Sequence, residues 1–321
     1  MFYDPFTFNL VLNCIQRTGT TQAPAKKSYL TQRAPGNKLP PLELPLGRTG
    51  QAKSGCGRQL AQPARLPPSQ FDQMITVPKT KPENTAVLIC YTLYMSLIRD
   101  WSEDWKCILR GEFDSIKHVE PPKEYLSFVK KNYPPVILLP GITRKWGFLK
   151  SLADKISQTG YPVYTLPDLG RNMISIPRSA RIIEKLLTSQ NIKNVILIGH
   201  SKGGLTAKYL LVKSRERKRI KAAITVAAPF LGSKMARLSL SRAHRELTPE
   251  SKIVRELAKN KNVNRKIYSL MPVYDNLIPR QDSYLPDGHN LIVPARGHHA
   301  ILFQPPTARL ILGILDGLRK R

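Results

Sequence analysis

From residue 135 to the C-terminus, short unbroken apolar runs alternate with longer stretches in which apolar residues recur every three or four positions. The short runs, at 136–139, 163–166, 195–198, 222–227, 267–271 and 290–293, have the length and branching of buried strands. The longer stretches predict amphipathic helices. One covers 148–156 and closes at Gly160; another opens at Pro177 and presents Ala180, Ile183, Leu186 and Leu187; the last, 305–318, carries Leu310, Ile311, Ile314 and Leu315. Strands and helices alternating at this spacing predict a mainly parallel sheet with right-handed crossovers and helices on both faces. A basic helical segment, 233–262, interrupts the alternation and is expected to be a lid insertion.

The pattern differs upstream. Residues 85–134 predict helices at 86–101 and 105–108 and a short amphipathic piece at 125–129. This lead-in has two readings, packing over the core or the site's mouth, and membrane attachment. Tyr91, Tyr94, Trp101 and Trp105, with Lys79, Lys81 and Arg99 nearby, suit the second. The apolar run 86–98 is too short to span a bilayer comfortably. Residues 1–84 hold prolines at 24, 35, 40, 41, 45, 63, 67 and 68 among Gly, Gln, Lys and Arg, too many breakers for regular structure. They are expected to form a low-complexity, disordered extension, with Met74 and Met95 as alternative starts.

Composition adds one strong constraint. Fifty-one basic residues against 22 acidic ones give a formal net charge of +29, which calls for an anionic counterpart. An anionic membrane surface is one. Nucleic acid is not expected, because no zinc-finger spacing or aromatic-interleaved basic motif accompanies the charge. Cys14, Cys56, Cys90 and Cys107 are widely spaced, as unpaired thiols would be. No signal peptide is evident, since Asp4 stands where positive charge belongs and no small-residue cleavage site follows. The expected location is cytoplasmic or at a membrane periphery.

The chemistry centres on Gly199-His200-Ser201-Lys202-Gly203. This G-x-S-x-G turn follows the strand of Val195, Ile196, Leu197 and Ile198 and precedes a helix carrying Leu205, Ala207, Leu210 and Leu211. A serine on such a turn is a nucleophile elbow, with its hydroxyl projected from a strained backbone and glycines where strand and helix approach. The amide of Lys202, at the helix start, suits an oxyanion. Downstream, in the order that such a triad needs, come Asp275 in Tyr274-Asp275-Asn276-Leu277-Ile278-Pro279 and His298 in Gly297-His298-His299-Ala300. Asp282 and Asp287 stand as alternative acids, and His299 as an alternative base.

Together with Pro140-Gly141-Ile142 and Ala228-Pro229-Phe230-Leu231-Gly232-Ser233, these motifs make residues 135–321 resemble the lipase and esterase group of the α/β-hydrolase family. The resemblance implies Ser201 as nucleophile, His298 as base and Asp275 as the residue that orients it. It implies the backbone amides of Ile142 and Lys202 as the oxyanion hole, and His200, Phe230 and Leu231 as substrate contacts. The expected activity is hydrolysis of carboxylic esters with hydrophobic acyl groups through an acyl-enzyme. Alternatives on the same residues are thioesterase or acyltransferase chemistry, or a non-catalytic hydrolase-like protein binding a membrane or nucleic acid. His118, His244 and His289 show no ligand-like spacing, so no metal or other cofactor is expected. Oligomeric state has no signature here.

Overall fold

A computed structural model describes residues 82–320, apart from the side chains of residues 82–90 and 93. The extension 1–81, with Cys14, Cys56, Met74, Lys79 and Lys81, lies outside the described residues, as does the Cys90 side chain. The chain divides into two compact units, Met1–Tyr94 and Met95–Arg321. The second holds the sheet.

Six strands form that sheet: β1 (Val136–Leu139), β2 (Val163–Tyr164), β3 (Val195–His200), β4 (Ile220–Val226), β5 (Ile267–Tyr274) and β6 (His289–Arg296). They pair in the order β2-β1-β3-β4-β5-β6, and every pairing is parallel. β3 is central and buried along its whole length, as an unbroken apolar strand covered on both faces must be. Alternate residues feed two cores. Val136, Leu138, Ile196, Ile198, Ala222 and Ile224 pack on one face, under α3 (Lys150–Gln158) and α8 (Pro305–Arg319). Ile137, Leu139, Val195, Leu197 and Ala223 face the other way, under α4 (Ile176–Ser189) and α5 (Lys202–Lys213). Helix α4 begins as its sequence directs, with Ser175 accepting a hydrogen bond from the Arg178 amide and proline in the first turn. Six parallel strands sandwiched in this order, with the elbow at the end of the central one, form an α/β-hydrolase fold.

Between β4 and β5 the chain forms the short helices α6 (Arg242–Arg245) and α7 (Lys252–Lys259). The apolar residues Ala236, Leu247, Val254 and Leu257 of this segment join the second core, while Lys234, Arg237, Arg242, Arg245, Lys252 and Arg255 are exposed.

The lead-in corrects the expectation. In place of helices at 86–101 and 105–108, α1 is one helix, Pro82–Lys117, of 36 residues. The apparent break at Ser102-Glu103-Asp104 is not one, because none of these residues stops a helix and Asp104 points inward, where it is 2% exposed. The 125–129 piece is a single turn, α2 (Glu124–Ser127), anchored by buried Tyr125, whose hydroxyl donates to Asp154 at 2.7 Å. The strand expected at 163–166 is shorter, and those expected at 267–271 and 290–293 are longer.

Candidate active site

The elbow assembles from local constraints. Ser201 lies between the last residue of β3 and the first of α5 with φ 51° and ψ −116°, a conformation costly for any residue with a side chain. The Ser201 amide is tied to the Val226 carbonyl at 2.9 Å, so the neighbouring strand holds the strain. A Cβ on Gly203 would overlap the Leu139 carbonyl, which leaves glycine as the residue that lets helix and strand meet. The Lys202 amide opens α5 and has no helical carbonyl to serve. β1 runs beside β3 with Leu139 opposite Gly199, which carries the Pro140-Gly141-Ile142 loop to the elbow. A Cβ on Gly141 would stand 3.5 Å from the Ser201 Cβ. The Ile142 amide follows one residue later.

The other two residues come from the ends of β5 and β6, which are neighbours; the Gly297 amide donates to the Tyr274 carbonyl at 2.8 Å and draws the loops together. Asp275 Oδ1 accepts the Leu277 and Ile278 amides at 2.8 Å each, which fixes the carboxylate. Its Oδ2 lies 2.9 Å from His298 Nδ1, and both side chains are buried. A carboxylate only accepts, so Nδ1 carries the proton and Nε2 of the neutral ring is the free base. Burial alone would lower the His298 pKa, but the charge and hydrogen bond of Asp275, with the charge of Asp104, more than offset it and raise the value. Asn276 Oδ1 also accepts the His298 amide at 2.8 Å.

His200 brings the histidine loop to the elbow. Its Nε2–H donates to the His298 carbonyl at 3.0 Å, and the two rings are 4.9 Å apart. Burial, followed by the two neighbouring histidines, holds its pKa well below the ordinary value, so the ring is neutral. At 2% exposure it ties the histidine loop to the elbow. Phe230 is 1% exposed, and its ring centroid is 5.5 Å from the Lys208 ammonium. Leu231 is 47% exposed. Of the alternative acids, Asp282 lies in a short turn after β5 and Asp287 in a left-handed turn; it is Asp275 that meets His298. His299 is occupied elsewhere.

That occupation is the larger surprise. Asp104 of α1 accepts the His299 and Ala300 amides at 2.7 Å each, the Asn276 side-chain amide at 3.2 Å and His299 Nδ1–H at 3.1 Å. Four residues earlier, and so on the same helix face, Asp100 takes Arg296 Nε–H at 2.9 Å. Two buried carboxylates thus grip both sides of Gly297-His298. Burial alone would push the Asp104 carboxyl up, but His299, the Ala300 amide and His298 hold it well below the usual carboxylate range. Burial drives His299 down to about 4, so it is a neutral donor to Asp104. Its Nε2 faces Arg144, whose guanidinium is 2.6 Å from Glu112 of α1.

A second set holds the Pro140-Gly141-Ile142 loop. Asn172 donates to the Pro140 carbonyl at 2.8 Å, and Lys202 Nζ donates to the Asn172 carbonyl at 2.7 Å and to that of Ile174. Burial lowers the Lys202 pKa to about 8, with Glu246 opposing the shift. The elbow lysine therefore anchors the Asn172–Ile174 segment through its side chain. Among the described residues no cluster of His, Cys, Asp and Glu is arranged to hold a metal ion.

Residues 178–294 match the lecithin:cholesterol acyltransferase family. No curated protein matches the chain. Among solved structures, the chain is similar to the Bacillus licheniformis lipase BlEst2 in its propeptide form, with a TM-score of 0.48 and 14% identity, covering 60% of this chain and 52% of that one. It thus spans about half the length of that relative. It is also similar to a Paleococcus ferrophilus monoacylglycerol lipase (TM-score 0.46, 15% identity, 60% and 96% covered). A third is the α/β-hydrolase MGS-MChE2 from a lagoon-sediment metagenome (TM-score 0.45, 20% identity, 59% and 92% covered).

Proposed function

We propose that the protein hydrolyses carboxylic esters with hydrophobic acyl groups through a Ser201 acyl-enzyme. The observation that carries this reading is the buried Asp275–His298 pair at 2.9 Å, whose loop is tied by His200 to the strained serine elbow. In the first step His298 Nε2 takes the Ser201 hydroxyl proton as Oγ bonds to the ester carbonyl carbon. The oxyanion is met by the Ile142 and Lys202 amides. The imidazolium, stabilised by Asp275, returns the proton to the leaving alkoxide as the C–O bond breaks. Water then enters by the same route, giving its proton to His298 and releasing the acid from Ser201. The Ser201–His298 hydrogen bond, which the structure does not contain, is expected to form with substrate in place. Leu231 and the 233–262 insertion border the acyl site.

A second reading has an alcohol, rather than water, resolve the acyl-enzyme. The match of residues 178–294 to the lecithin:cholesterol acyltransferase family favours it.

Ser201→Ala is expected to cut turnover of a p-nitrophenyl ester panel by about a thousandfold or more and to abolish labelling by a fluorophosphonate, with circular dichroism unchanged. Undiminished turnover in that variant overturns the proposal. Adding a long-chain alcohol and quantifying transesterified product against free acid separates the two readings.

A further inference from the structure

Helix α1 uses one face to hold the His298 loop and leaves another without cover among the described residues. From Met95 onward, Met95, Ile98, Trp105, Leu109, Phe113 and Ile116 follow each other mostly at three- or four-residue spacing and are between 45% and 70% exposed. They form one stripe, distinct from the buried row of Asp100, Asp104, Gly111 and Ser115. Six large apolar side chains at this exposure on one helix are far more than scattered surface hydrophobics. A third row completes the helix. Arg99, Lys106, Arg110 and Lys117 are all exposed and run along one border of the stripe, with Lys106 paired to Glu103 at 2.6 Å and the Arg110 guanidinium over the Phe303 ring. The segment that follows repeats this composition, with Phe128 70% and Val129 45% exposed beside the exposed Lys130 and Lys131.

We propose that α1 is a docking surface for an anionic phospholipid bilayer, on which the helix lies flat with the apolar stripe among the acyl chains and the basic row among the headgroups. An apolar stripe with a basic border is the pattern of an interfacial helix. No described helix is long and apolar enough to cross a membrane, so this one lies along it. Met95 to Ile116 extends roughly 30 Å at the usual helical rise, enough to define an orientation on a surface. A second copy is the poorer occupant: with 51 basic residues against 22 acidic, it offers the basic row no counter-charge, whereas an anionic headgroup layer does. Docking here also sets the site's position. The stripe and the Asp104 carboxylate that carries His299 and Ala300 belong to one rigid helix, so the catalytic histidine is held at a fixed distance from the lipid.

The experiment is co-sedimentation of the full chain with phosphatidylcholine vesicles and with vesicles containing phosphatidylserine, over a salt series. Ser201→Ala runs alongside so that binding is read independently of ester cleavage. Wild type and Ser201→Ala are expected to bind the anionic vesicles alike, less so as salt rises. Leu109→Gln with Phe113→Gln, at exposed positions, is expected to bind both vesicle types at least about tenfold more weakly with an unchanged circular dichroism spectrum. Lys106→Gln with Arg110→Gln is expected to lose most of the preference for phosphatidylserine. The proposal is overturned if wild type fails to sediment, or if Leu109→Gln with Phe113→Gln sediments like wild type. It is also overturned if light scattering shows a wild-type dimer that this double variant dissociates, for the stripe then belongs to a second copy.

Discussion

At the scale of single residues, the site turns on where two protons sit. His298 has its Nδ1 proton held by a buried carboxylate, and the same carboxylate raises the ring's pKa. Because only the neutral ring accepts the serine proton, activity is expected to fall as pH drops through that raised value. The limb in kcat/KM therefore lies above the ordinary histidine value of 6.5. Asp275→Asn removes both the charge and the tautomer control. It is expected to lower kcat about 10³- to 10⁴-fold and to move the limb toward lower pH, as stopped assays from pH 5 to 9 would show. An unmoved limb would mean that another group supplies the base. Ser201, Asp275 and His298 were legible in the sequence because each sits in a short motif at a strand end, and the motifs fall in catalytic order. Asp104, Asn172 and the Lys202 side chain were not. Each acts through contacts between distant segments, 195 residues apart for Asp104 and His299, and leaves no local pattern. His200 and Phe230 lie in motifs beside the nucleophile, and that local pattern carries no sign that packing turns their rings inward, to 2% and 1% exposure.

At the scale of elements, the alternation of strands and helices could be read because each sheet face buries a regular apolar set. Helix α1 was misread because its buried face is polar. A pattern search looks for apolar residues inside, and here Asp100 and Asp104 are inside while Trp105, Leu109 and Phe113 are out. The inversion has a measurable consequence. Asp104→Ala leaves two backbone amides, one side-chain amide and the His299 Nδ1–H without their acceptor in a buried setting, at a cost of about 3 kcal/mol or more in stability. It is also expected to lower kcat with little change in KM, since the loop carrying His298 loosens while the acyl site is untouched. Asp104→Asn keeps one acceptor oxygen and the shape, so it is expected to recover part of both losses. Urea melts and steady-state kinetics on the pair decide this, and equal kcat in Asp104→Ala and wild type would reduce α1 to a passive cover.

At the scale of the whole molecule, charge and buried histidines act together on acid stability. The unfolded His299 takes up a proton below about 6.5, but the folded ring, pushed down to about 4 by burial, does not. Across that window the unfolded state binds more protons, so stability falls as pH falls, by roughly 3 kcal/mol from His299 alone. His200 acts in the same direction. His298 opposes them, because its folded pKa is raised: its contribution is fully present below 6.5 and fades as pH rises through the folded value. Asp104 adds a loss that begins only below the ordinary carboxyl value of 3.8. A chain of net charge +29 also repels itself more as its carboxylates are protonated. The two causes separate by salt, which screens surface repulsion but not the desolvation of a buried ring. Urea midpoints measured at fixed high ionic strength are therefore expected to drop steadily from pH 6.5 to 4, and His299→Asn, which still offers Asp104 a donor, is expected to flatten that slope. Midpoints that stay level in wild type across this window would place the protons of the histidine cluster differently from the arrangement described.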